Sequence, residues 1–145
     1  MIRDLQNQFS DSQALTATAI STNVIDLGSA GRNIADGEPL GILVTVDVAA
    51  DFTTGNETYE IDIVTDDNAS MSSVTTVDTH VVLASALTLN AALFFPLPVG
   101  VNLERYIALK YILGGTTPTV TLTAELQPQS MVDKIKSYPA GYSIS

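Results

Sequence analysis

The stretch that decides the fold is GILVTVDVAADFTTGNETYEIDIVTDD, residues 41–67. Side chains on a β-strand point to alternate faces, and both halves of this stretch have that period. The apolar residues on one face are Ile42, Val44, Val46 and Val48 in the first half and Tyr59, Ile61 and Ile63 in the second. Between the halves, Gly55 and Asn56 can adopt the positive φ angles of a chain reversal. The stretch therefore predicts a β-hairpin with a long loop near the centre of a sheet, and its second strand has an acidic outer face.

Length and composition limit the class of protein. A chain of 145 residues fits one domain that can bury a sizeable core without a covalent staple. The absence of cysteine excludes a disulfide framework and a thiolate metal site. The first residues lack the apolar run of a signal peptide, and no segment approaches ~18 consecutive apolar residues. We therefore expect synthesis in a cytosol-like compartment and no association with a membrane.

The charge of the chain argues against one class of partner. The net charge is −10, and the only cations before residue 100 are Arg3 and Arg32. Nucleic-acid binding depends on clustered lysine and arginine, so we expect no nucleic-acid partner. The acidic residues indicate a solvated surface that keeps the protein soluble, with docking on a basic partner as the alternative.

Further alternation predicts strands over residues 14–20, 23–27, 74–83, 93–97, 104–113 and 119–125. About eight short strands without a long helix indicate an all-β protein, an antiparallel β-sandwich of jelly-roll type. We place the sandwich at residues 14–127, with an extended N-terminal arm at 1–13 and a C-terminal tail at 128–145. Residues 104–113 are apolar on both faces, so we expect a central strand whose second face meets a partner or a covering loop.

Two clusters of polar residues are candidates for sites of chemistry. Asp78 and His80 lie side by side on a strand, opposite a face formed by Val77, Val81 and Leu83. No G-x-S-x-G nucleophile motif accompanies this pair, so we interpret it as a surface hydrogen bond rather than part of a triad. The oxygens that could hold Ca²⁺ belong to Asp62, Asp66, Asp67 and Asn68, whose spacing does not match an EF-hand. We expect no catalytic residue, metal or cofactor, and hence no enzyme.

Four segments carry a resemblance to a known family. They are FSDSQALTATAISTNVIDLG (9–28), RNIADGEPL (32–40), PLPVGVNLERYIALKYILGGTTPTVT (96–121) and YPAGYSI (138–144). In order and pattern they resemble the small cement proteins of tailed phages, the family typified by the cement protein of a Bordetella podovirus. The resemblance covers about residues 1–127 and the last few residues of the chain, and none of its motifs is catalytic. It implies a jelly-roll protein outside an icosahedral head that self-associates and links major capsid subunits without covalent bonds.

This resemblance leads to a hypothesis of a capsid cement (decoration) protein on the outer surface of the virion, made in the host cytoplasm. Its partners would be the phage major capsid protein and itself, as a homodimer or a homotrimer. Exposed apolar and tyrosine side chains on flexible segments are typical of interfaces. The predicted contacts are Ile2, Leu5 and Phe9 on the N-terminal arm, Arg32 in the loop at 28–39, Tyr106 on the strand at 104–113, and Tyr138 and Tyr142 on the tail.

Other interpretations stay open at this point. The N-terminal arm could be frayed, Arg32 could form an internal ion pair, and the tail could fold back on its own sandwich. A carbohydrate-binding β-sandwich, with Ca²⁺ at the Asp66 loop, is the alternative function. The chain has no tryptophan and few aromatic residues on which a sugar ring could stack.

Overall fold

The computed structural model describes residues 5–28, 40–98 and 102–128. Within these ranges the chain forms short strands rich in β-branched and apolar residues, as the alternation predicts. The strands are β1 (Gln8–Leu15), β2 (Ala19–Ile20), β3 (Ile25–Asp26), β4 (Leu40–Val48), β5 (Thr58–Asp66), β6 (Thr75–Val82), β7 (Ala92–Pro96), β8 (Tyr106–Gly114) and β9 (Val120–Pro128). Two 3₁₀ turns span Leu5–Asn7 and Ala84–Ala86. No helix in this part of the chain has the length and apolar character needed to span a membrane.

The strands form two antiparallel sheets packed as a β-sandwich, which confirms the predicted fold class. One sheet has the order β1-β9-β4-β7 and the other the order β2-β8-β5-β6, with β3 also paired to β8. Successive strands lie in opposite sheets at every described connection except β2 to β3 and β5 to β6. This alternation agrees with a jelly roll, because a meander would pair each strand with the next one in its own sheet.

The predicted hairpin between β4 and β5 is wrong, although both strands exist. Both edges of β4 are occupied by β7 and β9, so β5 has no free edge to pair with and lies in the opposite sheet. The connecting segment crosses between the sheets, where the Ala50 N–H donates to Leu87 O and the Asp51 N–H donates to Thr119 O, both at 2.9 Å. Gly55 takes the predicted positive φ, at 84°. Because β4 and β5 lie in opposite sheets, the loop between them joins the two layers of the sandwich, which are separated by about 10 Å.

The core lies between the inner faces of β4 and β9 in one sheet and β5 and β8 in the other. Its central side chains are all buried, and complete burial of one such side chain contributes about 1.5–3 kcal/mol. They are Ile42, Val44, Val46, Ile61, Ile63, Ile107, Leu109, Tyr111, Leu122 and Ala124. On β9, Thr121 and Thr123 alternate with this set, as predicted, but Thr123 is only 3 % exposed.

The outer face of β5 and β8 is partly covered, and not simply acidic as predicted. Val64 and Ala108 are fully buried there against Met71, which belongs to the loop after β5. The carboxylate-bearing residues Asp62 and Asp66 are only 5 % and 1 % exposed. A covering loop is thus one reason why β8 is apolar on both faces.

The sandwich begins earlier than predicted, at Gln8 rather than at residue 14. β1 pairs with β9 from Gln8 onward, and Phe9 is 0 % exposed in the core. The pairing contains two register shifts, and Ser12 has a φ of 46°. These irregularities break the alternation of side chains, which is why the sequence pattern does not reveal a strand here.

A buried hydroxyl pair connects the two sheets. The Tyr111 and Ser10 side-chain oxygens lie 2.7 Å apart, and Ser10 Oγ donates to Gln13 Oε1 at 2.7 Å. Because the single serine proton is used toward Gln13, Tyr111 is the donor to Ser10. Burial raises the pKa of the Tyr111 phenol above its ordinary value. The phenol therefore stays neutral and can keep donating.

Candidate functional site: an exposed sheet edge and an apolar groove

β6 forms an edge of its sheet and is the longest regular edge among the described strands. β1 carries two register shifts, β2 and β3 have two residues each, and β7 has five residues and ends at Pro96. Shortness, irregular pairing and proline are ways in which proteins prevent an edge from pairing with another chain. β6 has eight residues, no proline, lysine or arginine, and one register shift. It is thus the described edge best suited to pairing.

The register shift in β6 changes which side chains face outward. Val64 pairs with Thr76 and Ile63 pairs with Asp78, so Val77 is an extra residue. Beyond this bulge the alternation is shifted by one position, and Val81 faces solvent instead of the core. Val81 and Leu83 are 74 % and 73 % exposed. The expectation that they share one face of the strand with Val77 is therefore wrong.

Val81 and Leu83 border an apolar groove next to the edge. We call it the Phe52 groove; its volume is about 310 Å³, and Phe52 is 54 % exposed. Tyr59 and Glu57 lie at its base, and the Glu57 carboxylate accepts the N–H groups of residues 54 and 55, so it orders the loop. Exposed apolar side chains grouped in this way are typical of an interaction surface. Sequence reasoning missed this surface, because the bulge at Val77 that turns Val81 outward is not visible in the sequence pattern.

Asp78 and His80 lie side by side, as predicted, but they face inward at the border of the sandwich. His80 Nε2 is 2.9 Å from Asp78 Oδ2, a contact with the distance of an ion pair but without hydrogen-bond alignment. The imidazole also stacks on Phe95 of the opposite sheet, with ring centroids 4.4 Å apart. Asp78 Oδ1 accepts the Thr79 N–H at 3.0 Å. These contacts give the pair a structural role in closing the border between β6 and β7.

The loop after β5 brings three carboxylates together. Oxygens of Asp66, Asp67 and Glu104 lie within 4.8 Å of one another, whereas Asp62, another predicted ligand, is not part of this group. The side-chain oxygen of Asn68, the fourth predicted ligand, accepts hydrogen bonds from the Ser70 N–H and hydroxyl. The two Asp66 oxygens accept the N–H groups of residues 73 and 68, at 2.8 and 3.1 Å. The bond from residue 73, followed by that from residue 68, holds the pKa of the Asp66 carboxyl below its ordinary value against the effect of desolvation. Asp66 thus shapes the loop that carries Met71.

Tyr106, a predicted partner contact, is half-buried at the start of β8. The Arg105 guanidinium carbon lies 5.1 Å from the centre of the Tyr106 ring, within reach of a cation–π contact. Arg105 also binds both carboxylate oxygens of Asp26, each at 3.0 Å. Its hydrogen bonds, with that of the Gly28 N–H, lower the pKa of Asp26. Tyr106 therefore offers only part of its surface to a partner.

The other predicted contact residues differ in their location. Phe9 is a core residue with no exposed surface in this chain, because β1 is a strand of the sandwich rather than an arm. Leu5 begins the first 3₁₀ turn, and its side chain is not among those described. The remaining four lie outside the described residues: Ile2, Arg32, Tyr138 and Tyr142.

Comparison with known proteins gives a match over the sandwich. Residues 9–126, from the second residue of β1 nearly to the end of β9, match the family described as Bbp16. The chain belongs to the Bbp16 family. Bbp16 is the name of a Bordetella phage protein family, so this family member is phage-related. None of the curated proteins matches it.

Proposed function

We propose that this Bbp16 family member is a capsid cement (decoration) protein. It binds the outside of a phage head, links neighbouring major capsid subunits without covalent bonds and associates with itself. The observation that carries the proposal is the Bbp16 match over residues 9–126, since it relates the whole sandwich to a phage protein family. The resemblance of residues 9–28, 32–40, 96–121 and 138–144 to phage cement proteins supports it.

The physical basis of this function is repeated contact. One modest interface gives little affinity, but many copies on a shell raise the effective concentration of each next contact. A sandwich with a close-packed core is a suitable rigid platform, since little conformational entropy is lost when it docks. In this proposal the protein is not an enzyme, and it acts on the outer surface of the virion.

The contacts with the capsid are proposed to lie mainly on segments that flank the sandwich. The proposed residues are Ile2, Leu5, Arg32, Tyr138 and Tyr142, with the exposed part of Tyr106 as a further contact. Phe9 is left out because its side chain is buried in the core. Residues 1–4 and 129–145 can be removed without shortening any described strand.

Binding to heads that lack the protein tests this proposal directly. We expect the full chain to co-sediment with such heads and to raise the temperature at which they release DNA. Removal of residues 1–4, 129–145, or both should weaken co-sedimentation while the circular dichroism of the sandwich is unchanged. An unrelated acidic β-sandwich of similar size is the control for non-specific binding.

Two results would contradict the proposal. One is a folded chain that neither co-sediments with heads nor changes their stability. The other is specific binding on a glycan array together with a calcium-dependent rise in melting temperature, which would favour the carbohydrate-binding alternative. Unchanged binding by both truncated chains would refute the assignment of the contacts to the flanking segments.

A further inference from the structure

We propose that the end of the sandwich around Phe52 is a second capsid-binding surface, which takes an apolar segment of the major capsid protein flanked by lysine or arginine. This inference deepens the proposed function, on which it rests, because it adds a contact on the sandwich itself to those on the flanking segments. It is carried by a group of exposed apolar side chains, by the place of that group in the fold and by the charge around it.

Exposed apolar side chains gather at one end of the sandwich. Among the side chains that the structure describes, five large apolar ones are 54–74 % exposed. They are Val48 at the end of β4, Phe52 in the loop between β4 and β5, Val81 near the end of β6, Leu83 just after β6 and Leu89 on the turn before β7. We call this surface the apolar end. Single exposed apolar residues are common, but a group of them is typical of an interaction surface.

Backbone pairing holds the segments of the apolar end together. The Asn90 N–H donates to Val46 O at 2.9 Å, so the turn before β7 lies against the end of β4. Val82 pairs with Tyr59, the second residue of β5, which places the end of β6 beside the loop that carries Phe52. The Phe52 groove lies between these last two segments. Because the surface is ordered by the strands, little conformational entropy is lost when a partner binds to it.

The flanking segments leave the sandwich at the opposite end. Leu40, the first residue of β4, pairs with Pro128, the last residue of β9. Gln8, the first residue of β1, pairs with Glu125 near the end of β9. The segments that adjoin this opposite end are residues 1–4, 29–39 and 129–145. The apolar end is therefore a surface of the sandwich that is separate from the contacts proposed on those segments.

The length of the strands sets the distance between the two ends. β4 has nine residues and rises about 3.3 Å per residue, so its ends are about 30 Å apart. A protein that links two capsid subunits needs two separate contact surfaces. The flanking segments at one end and the apolar end at the other supply them.

The charge around the apolar end favours a basic partner. Asp51 and Glu57 lie in the same loop as Phe52, and Glu60 pairs with Val81 across β5 and β6. Directly opposite residues share one face of a sheet, so the Glu60 carboxylate lies beside Val81. An apolar segment with a lysine or arginine next to it therefore complements this surface in both polarity and charge.

The described cations lie away from the apolar end. Within residues 5–28, 40–98 and 102–128, the lysine and arginine residues are Arg105 and Lys110. Arg105 binds the Asp26 carboxylate just before β8 begins, at the opposite end, and Lys110 pairs with Asp62 in the middle of β8. Two apolar ends facing each other would bring carboxylates together, and like charges across an interface are unfavourable. Charge therefore favours a capsid segment over a second copy of this chain.

Substitutions on β6 test this surface. Val81→Lys removes an apolar contact and adds a charge that repels a basic partner, so we expect about tenfold weaker binding to heads that lack the protein. Thr76→Lys, the matched control, adds the same charge to an exposed position of the same strand at the opposite end and should bind like the natural chain. If the natural chain binds and both variants bind equally well, the inference is wrong and the proposed function stands. A natural chain that does not bind heads refutes both.

Photocross-linking identifies the partner segment, because the chain has no cysteine of its own. The Leu83→Cys variant, with a benzophenone attached to its thiol, should be linked by light to the major capsid protein when it is bound to heads. Mass spectrometry should place the link in a segment of apolar and basic residues. A link only to an acidic segment, or only to another copy of this chain, would overturn the inference.

The free protein tests for other occupants of the apolar end. Because Val81 is 74 % exposed, Val81→Lys should keep the melting temperature and the sedimentation coefficient of the natural chain. A changed sedimentation coefficient would place a second copy on this surface. A lower melting temperature that is seen in the full chain, but not when residues 129–145 are removed from both proteins, would place the tail there. Either result contradicts the inference.

Discussion

Removing the hydroxyl of Tyr111 should lower the free energy of unfolding by less than removing the hydroxyl of its acceptor, Ser10. In Tyr111→Phe the serine still donates to Gln13, so we expect the loss of one hydrogen bond, about 0.5–1.5 kcal/mol. In Ser10→Ala the phenol becomes a buried donor without a partner, which costs about 1–3 kcal/mol. The double variant has no such donor. It should therefore be more stable than Ser10→Ala alone.

Urea unfolding followed by far-ultraviolet circular dichroism measures these differences. The three variants and the natural chain are compared at one protein concentration, because association changes apparent stability. An unchanged m value shows that a midpoint shift reports stability. For a chain of this size, 1 kcal/mol corresponds to about 2–4 °C in melting temperature. Additive effects in the double variant, or a larger cost for Tyr111→Phe than for Ser10→Ala, would refute the bond between the sheets.

Three further predictions concern the core, the sheet and the covering loop. Phe9→Ala should destabilise the chain by about 3–5 kcal/mol in chemical unfolding, because a buried ring leaves a cavity; a loss of head binding without a loss of stability would instead make Phe9 a contact residue. Gly41→Ala should lower the free energy of unfolding by about 1–3 kcal/mol, since the added Cβ would overlap the Phe94 ring and lie 2.7 Å from the carbonyl oxygen of Phe95; an unchanged melting temperature would contradict this close approach. Asp66→Asn should destabilise the chain at neutral pH, because the amide accepts through one oxygen. The pKa of Asp66 is lower in the folded chain than in the unfolded chain. The difference in free energy of unfolding between the natural chain and Asp66→Asn should therefore be largest above the unfolded pKa of about 3.9 and should decrease as the pH falls through the folded pKa. A difference in melting temperature that does not change with pH would contradict this.

The sequence predicts the features of the fold that depend on neighbouring residues, and it does not predict those that depend on residues distant in the chain. Alternation within β4, β5 and β9 is local, so the sequence predicts these strands and the inward residues of β4 and β9. Pairing between strands depends on contacts distant in the chain, and nothing in residues 41–67 indicates that both edges of β4 are filled by β7 and β9. A hairpin is therefore the natural prediction from the sequence, and it is wrong.

The candidate site depended even more on tertiary structure. The side-by-side placement of Asp78 and His80 follows from their spacing on one strand, but the exposure of Val81 depends on a bulge, which pattern alone does not reveal. The sequence predicts Phe9 as a contact because polar neighbours surround it, whereas the core contacts that bury it come from elsewhere in the chain.

By itself, the sequence determined that this protein would be a sandwich of short strands, because binary patterning with period two permits little else and no segment favours a long helix. Only the tertiary structure decided which strands are neighbours, which acidic residues are covered and which edge is left open. The physical reason is that side-chain alternation is a property of the local backbone, while burial and free edges depend on how the whole chain fills the space between and around the two sheets.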